Sequence, residues 1–288
     1  MGIEYKEGIE PGQVIDLNQF KRKDNTKRFG ERFKHPEKYL PMLKERMVGV
    51  SERVNEEFGE FLDEKGRIIM VGEEVDKDKE SIVDKEEEWA EREGLEPEES
   101  RRRKEKNKAH ITELALTVAF DKFLGDDFIV ARASDYDDYK NGVDQVIIDK
   151  KTGAVVCGLD EVISQFKNNE APIKDVKTKE KLEKGGSRVK YGATIQEGKL
   201  VRQSLKNIPT FYIAIGTEEL NELLVALEKN ENEISEVEMN LFNKLMASLD
   251  RQYKKADKMR LNPNLKNNLD KFRGSLDKIK SRDYNIAK

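Results

Sequence analysis

The sequence predicts an α/β protein of the α+β kind, with a small mixed sheet flanked by helices. Three observations predict it. Two apolar strand-like runs, Val143–Ile148 and Ala154–Leu159, are joined by Asp149-Lys150-Lys151-Thr152-Gly153, and the glycine of such a turn supplies the positive φ a short reversal needs. Later, Thr210–Gly216 (TFYIAIG) reads as an interior strand. Around these runs lie amphipathic stretches with apolar residues at three- and four-residue steps, the period of a helix packed on one side. Three regions are expected: a charged, mainly helical stretch over 1–107, an α/β core over 108–229, and a helical region with a polar tail over 230–288.

Taken in order, residues 1–34 are polar and carry a basic-aromatic patch, Phe20-Lys21-Arg22-Lys23 to Lys27-Arg28-Phe29. From His35 to Glu64, Tyr39, Leu40, Leu43, Met47, Val50, Val54, Phe58 and Phe61 form a helical stripe, and Pro36 suits its first turn. Gly66–Gly72 reads as a short strand or a connector. Residues 73–108 are dense in charge with few apolar anchors (Ile82, Trp89, Leu95), and predict a solvated helix followed by a linker broken at Gly94 and Pro97. The run Arg101–Lys108 is the most basic in the chain.

His110–Leu124 has the composition of a buried helix, with Gly125 at its expected C′ position. Glu113 sits among its apolar residues and either reaches solvent at the margin or points toward the hairpin. Phe128–Ala133 is the next strand, followed by an acidic, aromatic loop over 134–142. Beyond the hairpin come a lysine-rich helix or loop over 168–184, a break at Gly185-Gly186, and an alternating strand at Arg188–Ile195 with a turn at 196–199. Thr217 then caps a helix over Leu220–Leu227.

Composition narrows the function classes. Of 288 residues 39% are charged, and 54 basic against 58 acidic residues leave a formal net charge of −4. Global charge therefore does not mark a nucleic-acid binder, though a local basic face is compatible with it. Cys157, the single cysteine, lies in an apolar strand, so no intrachain disulfide forms and a buried, inert thiol is expected. One Cys and two distant histidines, His35 and His110, exclude a Cys/His metal cluster. Neither a signal peptide nor a membrane span is evident, which predicts a cytoplasmic protein.

The chemistry-bearing residues are acids. In an antiparallel hairpin the start of one strand lies beside the end of the next, so Asp144 and Asp160, with Glu161 adjoining, converge at one sheet edge. Converging carboxylates are costly unless a cation sits between them. This order of elements and acids resembles the PD-(D/E)XK nuclease superfamily, on Glu113 in HITELALTVAF, Asp144 in NGVDQVII and Asp160 in VVCGLDEV, over residues 108 to 220. The resemblance implies a restriction-endonuclease-like core and metal-dependent hydrolysis of nucleic-acid phosphodiesters. It further implies Mg²⁺ or Mn²⁺ held by Asp144, Asp160 and Glu113. A lysine two residues after the second acid belongs to that pattern, to orient water and stabilise developing charge. Here that position is Val162, or Ile163 if Glu161 is the acid, and Lys190 on the following strand is the expected substitute, with Lys167 behind it. The alternative is an inactive nuclease-fold module that binds nucleic acid or protein.

Overall fold

The computed structural model describes residues 35–164, 170–229, 233–282 and 284, and those from Pro36 onward belong to one compact unit. The basic-aromatic patch at 20–29 and Lys167 lie outside the described residues. A 3-10 turn, Pro36–Tyr39, leads into α1 (Leu40–Phe58), whose stripe Leu43, Met47, Val50 and Val54 is buried as its spacing requires. The connector at 66–68 runs beside the first strand: Arg132 N–H donates to Gly66 O at 2.9 Å, and Ile68 N–H to Arg132 O at 3.0 Å.

α2 (Val75–Glu93) ends at Gly94 in the left-handed region, φ +67°. The linker expected after it is instead a helix, α3 (Pro97–Lys106). Pro97 fits the first turn because its missing N–H has no helical partner there. Glu98 with Arg102 and Glu99 with Arg103 then form i,i+4 pairs at 2.8 and 2.9 Å on a helix that buries none of its residues. α4 (Lys108–Leu124) starts where the Asn107 side chain accepts His110 N–H at 2.8 Å, and it is buried over most of its length. Gly125 does not take the left-handed C′ conformation expected of it: its φ is −57°, and a Cβ there would meet Asp121 O at 2.6 Å. Close approach, not handedness, requires glycine here.

β1 (Phe128–Arg132), β2 (Gln145–Asp149) and β3 (Val155–Ser164) make an antiparallel meander, with Gly153 at φ +66° in the predicted turn. α5 (Glu170–Glu183) follows, then a two-stranded ribbon of β4 (Ser187–Gln196) and β5 (Lys199–Ile208). β6 (Thr210–Gly216) returns parallel to β3, giving a sheet in the order β1-β2-β3-β6. α6 (Thr217–Lys229), α7 (Glu236–Ala256) and α8 (Pro263–Lys280) complete the unit. The architecture is mixed α/β with small sheets flanked by helices. No described helix is long and apolar enough to cross a membrane.

Strand alternation sorts the core into two clusters. Val130, Ile147, Cys157, Leu159, Phe211 and Ile213 join residues of α1, α4, α6, α7 and α8 on one face. The regions expected on either side of 108–229 thus share one buried cluster with it. Ile129, Ala131, Val146 and Ile148 meet Val189, Tyr191 and Ala193 of the ribbon on the other. Cys157 is fully buried, and burial pushes its thiol up, as its strand position led us to expect.

Two strand expectations change. β5 was not foreseen, because Arg202 interrupts the inward row between Leu200 and Leu205. Its guanidinium turns inward by donating to Ile69 O and Glu60 O, each at 2.6 Å, and by lying over the Phe61 ring. β6 is buried as expected but lies at a sheet margin, where Gln252 of α7 covers Tyr212. The Gln252 amide accepts Tyr212 N–H at 3.1 Å and donates to Tyr212 O at 2.8 Å, as a neighbouring strand would. Gln252→Leu, which keeps the bulk and leaves both backbone groups without that partner, is expected to cost about 2–4 kcal/mol in urea unfolding.

Candidate acidic site and its neighbouring lysines

The meander brings Asp144 and Asp160 together as predicted. Gln145 pairs with Leu159 and Val146 with Gly158, so one further step of the register sets Asp144 across from Asp160. Both oxygens of Asp160, however, accept from Lys174 Nζ of α5, at 2.7 and 2.8 Å. Asp144 Oδ2 instead accepts the backbone N–H of Glu161 at 2.6 Å. Its carboxyl is pushed up to about 8, first by burial and then by the negative charges of Asp138 and Asp160.

Glu161 occupies the β3 face that Cys157 and Leu159 also occupy, the face covered by α4. Both of its carboxylate oxygens are enclosed and accept no hydrogen bond, as does Oε1 of Gln145. Gln145 is a diagonal cross-strand neighbour of Glu161, within the reach of long side chains. The Gln145 amide group is fixed from the other side, Nε2 donating to Thr117 Oγ1 at 2.5 Å and to Glu113 O at 3.4 Å. Burial raises the Glu161 carboxyl well above the usual carboxylate range, and the charges of Asp144 and Glu113 add to the effect.

Glu113 does not reach solvent freely. Its Oε2 accepts from Arg132 Nη2 at 2.6 Å, with His110 Nδ1 at 3.8 Å. Burial alone would raise its carboxyl, but His110 and the Arg132 and Arg67 charges outweigh that and hold it at about 2. Glu113 is thus an ionised neighbour of the site with a committed partner. Asp138, in the helical turn Asp137–Asn141 that replaces the expected loop, adds a further acid, its carboxyl raised mainly by burial.

Lys190 lies elsewhere. Its Nζ is held by Glu74 at 2.7 Å and Asp78 at 2.5 Å, and its backbone N–H donates to Asp137 Oδ1 at 2.6 Å. The lysines beside the acids come from α5: Lys174 on Asp160, and Lys181, whose Nζ donates to Gly142 O at 2.8 Å and Asn141 O at 3.3 Å. Burial lowers the Lys181 ammonium pKa, while the charges of Asp160 and Asp144 act against that.

No protein-family model, curated protein or solved structure matches the chain. The chemistry of the site therefore rests on its own atoms. Among the described residues no three His, Cys, Asp or Glu side chains are already grouped as a ligand cage. A small hard dication does not require one, since it keeps several waters and takes one or two carboxylates. The three acceptor oxygens of Glu161 and Gln145, with Asp144 beside them, fit that demand, and Asp160, committed to Lys174, fits it less well. Of the residues sequence reasoning set aside, Arg132 was legible as a lone charge in the apolar run FIVAR. Glu161 was already the alternative second acid, and its two-residue spacing from Leu159 places it on the same face. Lys174 and Lys181 gave no local signal, because α5 reads as one of many lysine-rich segments.

Proposed function

We propose that the chain is a divalent-cation-dependent hydrolase of nucleic-acid phosphodiesters, with its site at Glu161 and Asp144. The observation that carries this reading is the pair of enclosed Glu161 oxygens without a donor, next to the Asp144 carboxyl, raised first by burial and then by its acidic neighbours. A buried acceptor in that state costs about 1–3 kcal/mol, and more when charged. A cation satisfies it, and Mg²⁺ or Mn²⁺ prefers such oxygen ligands. The fold is compatible with the nuclease-like pattern: an acid on the helix before a small mixed sheet, an Asp at the start of one strand, and acids in the next.

Glu161 and Asp144 would hold the cation, with the Gln145 carbonyl oxygen turned toward it. When bound, that cation supplies charge for a phosphate oxygen and lowers the pKa of water. The Glu161 N–H fixes the orientation of Asp144. Glu113, anchored by Arg132, adds negative potential that strengthens cation binding. Lys181, whose Nζ now donates to Asn141 O and Gly142 O, would be the ammonium to stabilise negative charge developing on phosphate, the part Lys190 was expected to play.

The test is hydrolysis of single- and double-stranded DNA and RNA with Mg²⁺ or Mn²⁺, comparing the protein with Glu161→Gln and Asp144→Ala. Cation-dependent cleavage that falls at least about 100-fold in both variants supports the reading; equal activity of all three proteins overturns it. A second reading, an inactive nuclease-fold module that binds nucleic acid or protein, is favoured by two features: Ile163 where a lysine is expected, and the Asp160–Lys174 pair. Cation binding that depends on Glu161, without cleavage of any of the four substrates, selects it.

A further inference from the structure

A cavity of about 200 Å³ opens next to the Arg132–Glu113 pair, and six of its fourteen lining residues are Lys or Arg, against four Asp or Glu. At about 30 Å³ per water it has room for roughly six waters, or for a phosphate group with part of what carries it. Two lining guanidiniums are buried and held by carboxylates, one of which, Asp135, also lines the cavity. Arg132 is held by Glu113 at 2.6 Å, and Arg67 by Asp135 at 3.2 Å and Asp138 at 3.4 Å. Glu113 and Asp138 are not themselves part of the cavity lining. Glu113 and Asp138 therefore fix the guanidiniums from outside the cavity, while Asp135 shares the lining with Arg67.

The third cation is Lys104 of α3. Its ammonium is 3.8 Å from the centre of the Tyr139 ring and 5.1 Å from that of Trp89, and it donates to the Tyr139 hydroxyl. Unlike Arg101, which pairs with Glu86 at 2.6 Å, Lys104 makes no ion pair with a described carboxylate. Burial lowers its pKa. A half-buried ammonium facing a cavity beside two fixed guanidiniums is unfavourable by itself, and an entering oxyanion relieves it.

We propose that this cavity binds a phosphomonoester, its phosphate against Lys104, Arg67 and Arg132 and the attached group along the Tyr139 ring. The proposal goes beyond the hydrolytic reading and stands without it. Trp89, the chain's single tryptophan, has its ring centroid 5.0 Å from that of Tyr139 and so reports on the site. Inorganic phosphate, thymidine 5′-monophosphate and thymidine are titrated against the full chain, followed by Trp89 fluorescence and by calorimetry. Both phosphates are expected to bind, with affinity falling as salt rises, and thymidine to give no response. Tighter binding of the nucleotide assigns the phosphate to a nucleotide or strand end; equal binding overturns the placement of an attached group along the Tyr139 ring. Lys104→Met should weaken phosphate at least tenfold with circular dichroism unchanged, and Lys104→Arg should restore most of it. No binding of either phosphate at millimolar concentration, or wild-type affinity in folded Lys104→Met, overturns the proposal. Asp144→Asn should bind phosphate as the wild type does, so failure of hydrolysis and failure of this site are read separately.

Discussion

Asp144→Asn is expected to raise the stability of the protein in EDTA at pH 8 and, on the function proposed above, to remove cation-dependent hydrolysis. The sign follows from the carboxyl's displacement to about 8 from an ordinary value of 3.8. Below pH 4 the group is neutral in folded and unfolded chains and costs nothing. As pH rises, the unfolded chain loses the proton first, so stability falls across the interval from 4 to 8 and levels off once the folded form also ionises. One pH unit of displacement corresponds to about 1.4 kcal/mol, so the total is on the order of a few kcal/mol. Asparagine keeps the acceptor for Glu161 N–H and removes the charge. Unfolding midpoints measured from pH 4 to 9 in EDTA should decline in the wild type and decline less in the variant, where the raised Glu161 and Asp138 carboxyls remain. A variant curve that parallels the wild type would show that Asp144 is not the titrating group. Mg²⁺ should recover part of the lost stability in the wild type at pH 8 and much less of it in the variant.

The second large effect is expected at Asp137, which is buried and joins the meander to the ribbon. Its carboxylate accepts Lys190 N–H at 2.6 Å and Tyr191 N–H at 3.0 Å from β4, Ser134 Oγ at 2.8 Å and Asn141 Nδ2 at 2.7 Å. Asp137→Ala strips all four donors of that acceptor. At about 1–3 kcal/mol for each buried donor left unpaired, tempered by water entry, the loss is about 3–5 kcal/mol. Chemical denaturation measures it. Asp137→Asn, which keeps one acceptor oxygen, should lose roughly half as much; equal losses in the two variants would place the effect in the charge and not in the hydrogen bonds.

Much of the fold was legible because burial is written in spacing. The stripe of α1, the apolar density of α4 and the meander from Phe128 to Leu159 all follow from periods of 3.6 and 2. What escaped was set by distant partners. α3 has no apolar face to betray it and is supported by Glu–Arg pairs along its own surface. β5 hides an inward Arg202 that only Ile69 O and Glu60 O explain. The site divides in the same way. The convergence of Asp144 with Asp160 follows from hairpin register, which is local. That Lys174 engages Asp160, and that Lys190 belongs to Glu74 and Asp78, depends on where α5 and α2 pack. No spacing within the core motif encodes those positions.

Gln252 has a consequence for how this molecule meets others. Its amide bonds Tyr212 on the outer margin of β6, and residues 66–68 bond Arg132 on the outer margin of β1, so each rim of the four-stranded sheet is engaged at one backbone position. Strand exchange, fibril templating and capture of an extended peptide all begin at a bare rim. With Tyr212 covered, the β6 rim lacks an open pair at its centre, and Gln252→Leu should show itself as concentration-dependent association during refolding as well as lost stability. One amide on a helix thus occupies the place a neighbouring strand would take at Tyr212.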